Sequence, residues 1–216
     1  MAETNYSTLV GAKTVAGSIK EKVNHANIPI AQIVTDAEAW IYQRLRVREM
    51  LAHTTGTLTT STYQSVLPAL FRASKFFMFT ANGTVAKSEP TKELLETVLQ
   101  NWSYDGTGAR TVGKPQMYAA DGTTLTFEIE ADQNYPWHLL NYQAAAALVG
   151  TTNETNFLTG TYPHILRATS YFQAYQWMKN EREKLYWRKV AEGEIEQANV
   201  ESDFELIDTD IVMEIV

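Results

Sequence analysis

Apolar residues recur at helical spacing towards both ends of this 216-residue chain and at strand spacing between them, and that change of period constrains the fold more than any other feature. Val15, Ile19 and Val23 stand four apart ahead of Asn24-His25-Ala26-Asn27, which reads as a helix end. Pro29 then sits where a first helical turn tolerates proline, and Ile30, Ile33, Val34, Ala37, Trp40, Ile41 and Leu45 share one apolar face. After Gly150, Asn153 or Thr155 can cap a short turn. Ile165, Ala168, Phe172 and Tyr175, and later Trp187, Ala191, Ile195 and Ala198, repeat the helical spacing on either side of a charged bend at 179–184. From about Met50 the period falls to 2. Residues 54–62 are β-branched around Gly56, and 63–67, 75–80, 116–120, 124–131 and 137–144 are further strand candidates, the Asp121-Gly122 pair turning one hairpin. A helix capped by Ser88, with Pro90 in its first turn and Leu94, Leu95, Val98, Leu99 and Trp102 on its buried face, interrupts them. The expected class is α+β: an antiparallel helical bundle from residues 1–48 and 150–202, an inserted antiparallel β-rich segment at 49–149 with one helix, and an extended C-terminal arm at 203–216. Trp40 is expected to pack its helix onto the C-terminal helices, so that Trp40→Ala removes ~3–5 kcal/mol of stability.

The arm follows from a second alternation. Ile207, Thr209, Ile211, Met213 and Ile215 occupy odd positions and Asp208, Asp210 and Glu214 even ones. An extended strand with one apolar and one acidic face suits docking onto a neighbour, and Phe204, Leu206, Ile207, Ile211, Met213 and Ile215 are its predicted partner-binding residues. The competing reading adds the strand to the chain's own sheet.

Charge is uneven. Residues 192–216 hold nine acidic side chains and no Lys or Arg, whereas residues 1–191 carry 18 basic against 16 acidic. With a net charge of -7, the chain lacks the basic face that gripping nucleic acid requires, although an acidic surface that lets DNA slide past is compatible with it. The chain opens Met-Ala-Glu-Thr-Asn without a basic-then-apolar leader and has no run long enough to span a membrane, so a soluble product made in the cytoplasm is expected.

Catalytic and metal signatures are lacking in the sequence. Without cysteine there is no disulfide, thiolate zinc site or cysteine nucleophile. His25, His53, His138 and His164 lie far apart in the chain, and neither metal nor cofactor is expected. Gly106-Thr107-Gly108 lacks the lysine of a phosphate loop, and Glu128 with Glu130 reads as a solvated strand face rather than a glycosidase pair. Arg44, Arg46 and Arg48 read as a solvated helix end or as partners of carboxylates, with phosphate contact as the alternative. Tyr171, Phe172, Tyr175, Trp177, Tyr186 and Trp187 read as core, with a stacking platform for bases or sugars as the alternative.

Three segments in order carry a resemblance: Asp36-Ala37-Glu38-Ala39-Trp40-Ile41-Tyr42-Gln43-Arg44-Leu45-Arg46; Gly113-Lys114-Pro115-Gln116-Met117-Tyr118 followed by the Asp121-Gly122 hairpin; and Thr155-Asn156-Phe157-Leu158 through Tyr162-Pro163, ahead of an aromatic helix. Together they resemble the head-to-tail adaptor (connector or upper tail ring) proteins of short-tailed double-stranded DNA bacteriophages. The resemblance implies a non-enzymatic virion part: a ring of roughly twelve copies that docks beneath the portal protein, carries the tail nozzle and tail fibre proteins, and lets genome DNA pass through its centre. The alternative function is a cytoplasmic carbohydrate- or nucleic-acid-binding module using the aromatic helices.

Overall fold

A computed structural model describes residues 5–25, 27–80, 88–102, 109–150 and 152–213, with the side chains of 204–213 excepted. It is an α+β structure in two compact units, one formed by residues 1–49 and 145–216 and the other by 50–144.

The first unit contains α1 (Tyr6–Leu9), α2 (Ile19–Val23), α3 (Ile30–Tyr42), α5 (Phe157–Gly160), α6 (Pro163–Trp177) and α7 (Glu181–Met213). Its boundaries are written in local chemistry. The Ser18 hydroxyl accepts the Glu21 N–H at 3.1 Å to start α2, and Asn24 ends it in the left-handed conformation at φ 52°. Pro29 precedes α3, and Pro163 occupies the first turn of α6. The cap of α5 is Asn156, one residue after Thr155 and three after Asn153, the two residues expected from the sequence. Helix α6 lies against α2, α3, α5 and α7. Ile33, Val34, Ala37 and Ile41 of α3, Ile165, Ala168 and Phe172 of α6, and Ala191, Ile195 and Ala198 of α7 are buried at the expected spacings. Trp40 reaches Phe172, ring centres 5.4 Å apart, but is only half-buried beneath the Arg44 guanidinium. Trp40→Ala is therefore expected to lower stability by about 2 kcal/mol in a urea titration, less than emptying a sealed aromatic site.

The bend between α6 and α7 turns on Lys179 at φ 57°. A side chain with a Cβ is disfavoured there, so Lys179→Gly should raise the unfolding free energy by up to about 1 kcal/mol, measured in the same titration.

One expectation is overturned. Residues 203–213 do not form an extended arm: the α7 backbone is helical to Met213. Phe204, Ile207 and Ile211 are spaced by 3 and 4 as well as belonging to an alternating pattern, so the apolar spacing alone permits both conformations. Extending a helix already nucleated at Glu181 adds one hydrogen bond per residue fixed, and this outweighs the β-preference of Ile207, Thr209, Ile211 and Val212.

The second unit has a three-stranded antiparallel sheet in the order β1 (Leu51–Leu58), β9 (Tyr135–Gln143), β3 (Phe71–Phe79). A second sheet runs β2 (Gln64–Val66), β7 (Thr124–Phe127), β6 (Met117–Asp121), β4 (Thr91–Lys92), and β5 (Val112–Gly113) pairs in parallel with β8 (Glu130–Ala131). Gly122 at φ 57° makes the β6–β7 turn, as Asp121-Gly122 predicts. Leu58, Phe77, Phe79, Tyr118, Leu125, Phe127, Tyr135, Trp137 and Leu139 form one core. Helix α4 covers only Leu95–Gln100, later than predicted. Ser88 instead bridges Phe79, and Thr91 and Lys92 join β6, because β3 and β6 offer this segment backbone hydrogen-bond partners. Among the described residues no helix is long and apolar enough to cross a membrane.

Candidate assembly surfaces

The packed part of α7 is clipped to the chain that leaves α3. Leu45 and Val47 are buried, and the backbone around them is satisfied by side chains of α7. The Asn199 amide accepts the Arg46 N–H at 2.6 Å and donates to the Arg44 carbonyl at 3.1 Å, and the Ser202 hydroxyl accepts the Arg48 N–H at 2.8 Å. Buried backbone groups need such partners, which fixes the last described turn of packed α7 side chains. The arginines fold back on their own element. Arg44 lies 4.1 Å from the Trp40 ring centre, and the Arg46 guanidinium donates to the carbonyls of Tyr42, Gln43 and Leu45, where a cation complements the end of α3. Arg44 and Arg48 are exposed and Arg46 is half-buried.

Glu38, 3 % exposed, joins two of the sequence segments quoted above. Its carboxylate accepts the Leu148 N–H and the Asn156 amide, each at 3.0 Å, while the Asn156 oxygen caps α5 by accepting the Leu158 N–H at 3.0 Å. Burial raises the Glu38 carboxyl above the usual glutamate range, and the bonds from Leu148 and Asn156 pull the other way. The motif residues thus hold the return segment against α3.

Two recesses of opposite character open on this unit. One, about 280 Å³, is lined by Glu49, His164, Glu194 and Glu201 among others; His164 stands 3.3 Å from the Glu194 carboxylate, and the Tyr162 hydroxyl donates to Glu49 at 3.2 Å. The other, about 470 Å³, is lined by Ala12, Lys13, Lys20, Asn24 and His25. His25 meets the edge of Trp177, 45 % exposed, at 5.4 Å between ring centres. Leu185 and Tyr186 are each 59 % exposed on α7.

The other sequence candidates fall as follows. Tyr171, Phe172 and Tyr175 are buried, the Tyr171 and Tyr175 hydroxyls donating to the carbonyls of Gly17 and Lys22, and Trp187 packs edge-on to Tyr171; these rings are packing rather than a platform. Glu128 is buried, not solvated: it accepts the N–H groups of Gln116 and Met117 and so fixes the start of β6. His53 and His138, remote in sequence, are brought together by the β1–β9 pairing, with ring nitrogens 2.7 Å apart. Among the described residues no three His, Asp or Glu side chains converge as a metal site. Gly106-Thr107-Gly108 lies outside the described residues. Of the predicted partner-binding residues, Phe204, Leu206, Ile207, Ile211 and Met213 lie on the helical backbone of α7, and Ile215 lies outside the described residues. The two recesses were not legible in the sequence, since each gathers side chains from separate elements.

A family model described as SU10 adaptor protein matches residues 4–206. No curated protein matches the chain.

Proposed function

The chain belongs to the SU10 adaptor protein family, and from that premise we propose that it is a head-to-tail adaptor, assembled as a ring of copies that docks beneath the portal protein and carries the tail nozzle and fibres. The observation that carries this reading is the extent of the family match, which takes in both units and α7 as far as Leu206. In this reading the helical unit is an antiparallel bundle around α6, and the ring has roughly twelve members closed by head-to-tail contacts. Genome DNA passes through the centre without sequence recognition, and acidic surface along the path keeps the phosphate backbone sliding. The place of action is the virion.

The residues beyond the Ser202 clip serve contact between molecules: Phe204, Leu206, Ile207, Ile211, Met213 and Ile215 supply apolar area, now offered from a helix as far as Met213. Deleting residues 203–216 leaves the Asn199 and Ser202 bonds in place. The truncated chain is expected to melt as the full chain does and to lose ring formation or co-sedimentation with portal-bearing heads. A truncated chain that docks and assembles as well as the full one refutes the contact role, and a full-length chain that neither assembles nor binds such heads refutes the adaptor reading.

A further inference from the structure

The basic recess and the acidic end of α7 belong to opposite ends of one helix. Lys22 lies over the Trp187 ring at 4.9 Å from its centre, and His25 touches Trp177, so the recess sits beside the start of α7. From Trp187 to Asp203 a helix advances about 24 Å, and the acidic segment continues away from there. A chain's own acidic segment therefore lies well away from its own recess.

The two features are chemically matched. Among the described residues neither Lys13 nor Lys20 forms an ion pair, and the exposed Trp177 ring lies against His25. Residues 203–214 contain five acidic residues and no Lys or Arg, interleaved with Phe204, Leu206, Ile207, Ile211, Val212 and Met213. A segment of acids and large apolar side chains meets cations beside an aromatic surface.

We infer that the recess formed by Lys13, Lys20, Asn24 and His25 receives the acidic 203–214 segment of a second copy of this chain. The inference rests on the ring reading and names the surfaces that would close it. Because donor and acceptor lie at opposite ends of α7, the contact is heterologous: each copy offers its segment to the next and its recess to the one before, the arrangement that generates a ring when the rotation closes. Single exposed ion pairs are weak, so several act together with the apolar contacts, and the charged part fades with salt.

The test uses the full-length chain in sedimentation velocity at low and high salt. Lys13→Glu with Lys20→Glu is expected to weaken self-association at least roughly tenfold at low salt, and Asp208→Lys with Asp210→Lys to do the same. Mixing the two charge-reversed variants should restore assembly with the two alternating, because the acidic segment of one meets the lysine recess of the other while the reversed segment meets the reversed recess. All four substitutions in one chain should restore assembly. Lys13→Gln with Lys20→Gln provides a milder version should the reversals disturb folding, judged by thermal melts. Wild type that assembles while the lysine variants assemble equally well overturns this contact and leaves the ring reading standing. Failure of the four-fold swap to restore assembly, with each pair weakening it, places the segment on another surface and also overturns the contact. Wild type that stays monomeric at every concentration overturns the ring and the contact together.

Discussion

Replacing Glu38 by alanine is expected to lower the stability of the helical unit by about 2–4 kcal/mol. The carboxylate is the acceptor for the Leu148 N–H and the Asn156 amide, and truncation leaves both donors without it in a buried place while emptying the space of the side chain. The loss spreads, because Asn156 caps α5 and is oriented by the bond it gives to Glu38. A companion variant, Glu38→Gln, retains shape and one acceptor, and the comparison exposes the charge. Burial raises the folded carboxyl above 4.5, the value for an ordinary glutamate, so the folded state binds the proton more tightly than the unfolded chain. Wild-type stability relative to Glu38→Gln should therefore be greatest below that ordinary value, decline as pH rises through the raised one, and level off above it. Urea titrations of the three proteins across pH measure this directly. A relative stability that instead rises with pH over that window would mean that the hydrogen bonds to the anion outweigh its desolvation.

Gly56→Ala is expected to destabilise the β-unit by about 3 kcal/mol, at the upper end of what overpacking costs. Gly56 pairs with Trp137 across β1 and β9, and a Cβ added there would stand 2.2 Å from the indole Cζ2. The indole has little room to withdraw, being 2 % exposed and backed by Phe77 at 5.9 Å between ring centres. Shrinking the obstacle should recover part of the loss, so Gly56→Ala combined with Trp137→Phe is expected to be more stable than the sum of the two single changes predicts. Chemical denaturation followed by circular dichroism reads all three variants. Additive losses would show that the glycine answers to backbone conformation rather than to the ring.

These two sites mark where sequence reasoning stops. Glu38 was visible as part of a helix and of a resemblance segment, but its buried hydrogen bonds were not, because its partners stand 110 and 118 residues away in a segment with no regular period. Gly56 was visible as a glycine among β-branched residues, which signals a close approach without naming what approaches. His53 and His138 are another case: 85 residues apart, they meet only because β9 returns antiparallel beside β1.

Locally encoded features were determined by the sequence. The Ser18 cap, the Asn24 terminus, Pro163 in the first turn of α6 and the Asp121-Gly122 turn all arise from the φ preferences and short-range hydrogen bonds of a few consecutive residues, and the apolar stripes of α3, α6 and α7 follow from one helical period. Tertiary structure decided the cases in which two local readings are close in free energy. Residues 88–92 became a bridge and a short strand because β3 and β6 offered them backbone partners, and residues 203–213 continued as helix because α7 was already formed ahead of them. In both places the hydrogen bonds made to an existing element outweighed the preferences of the segment itself.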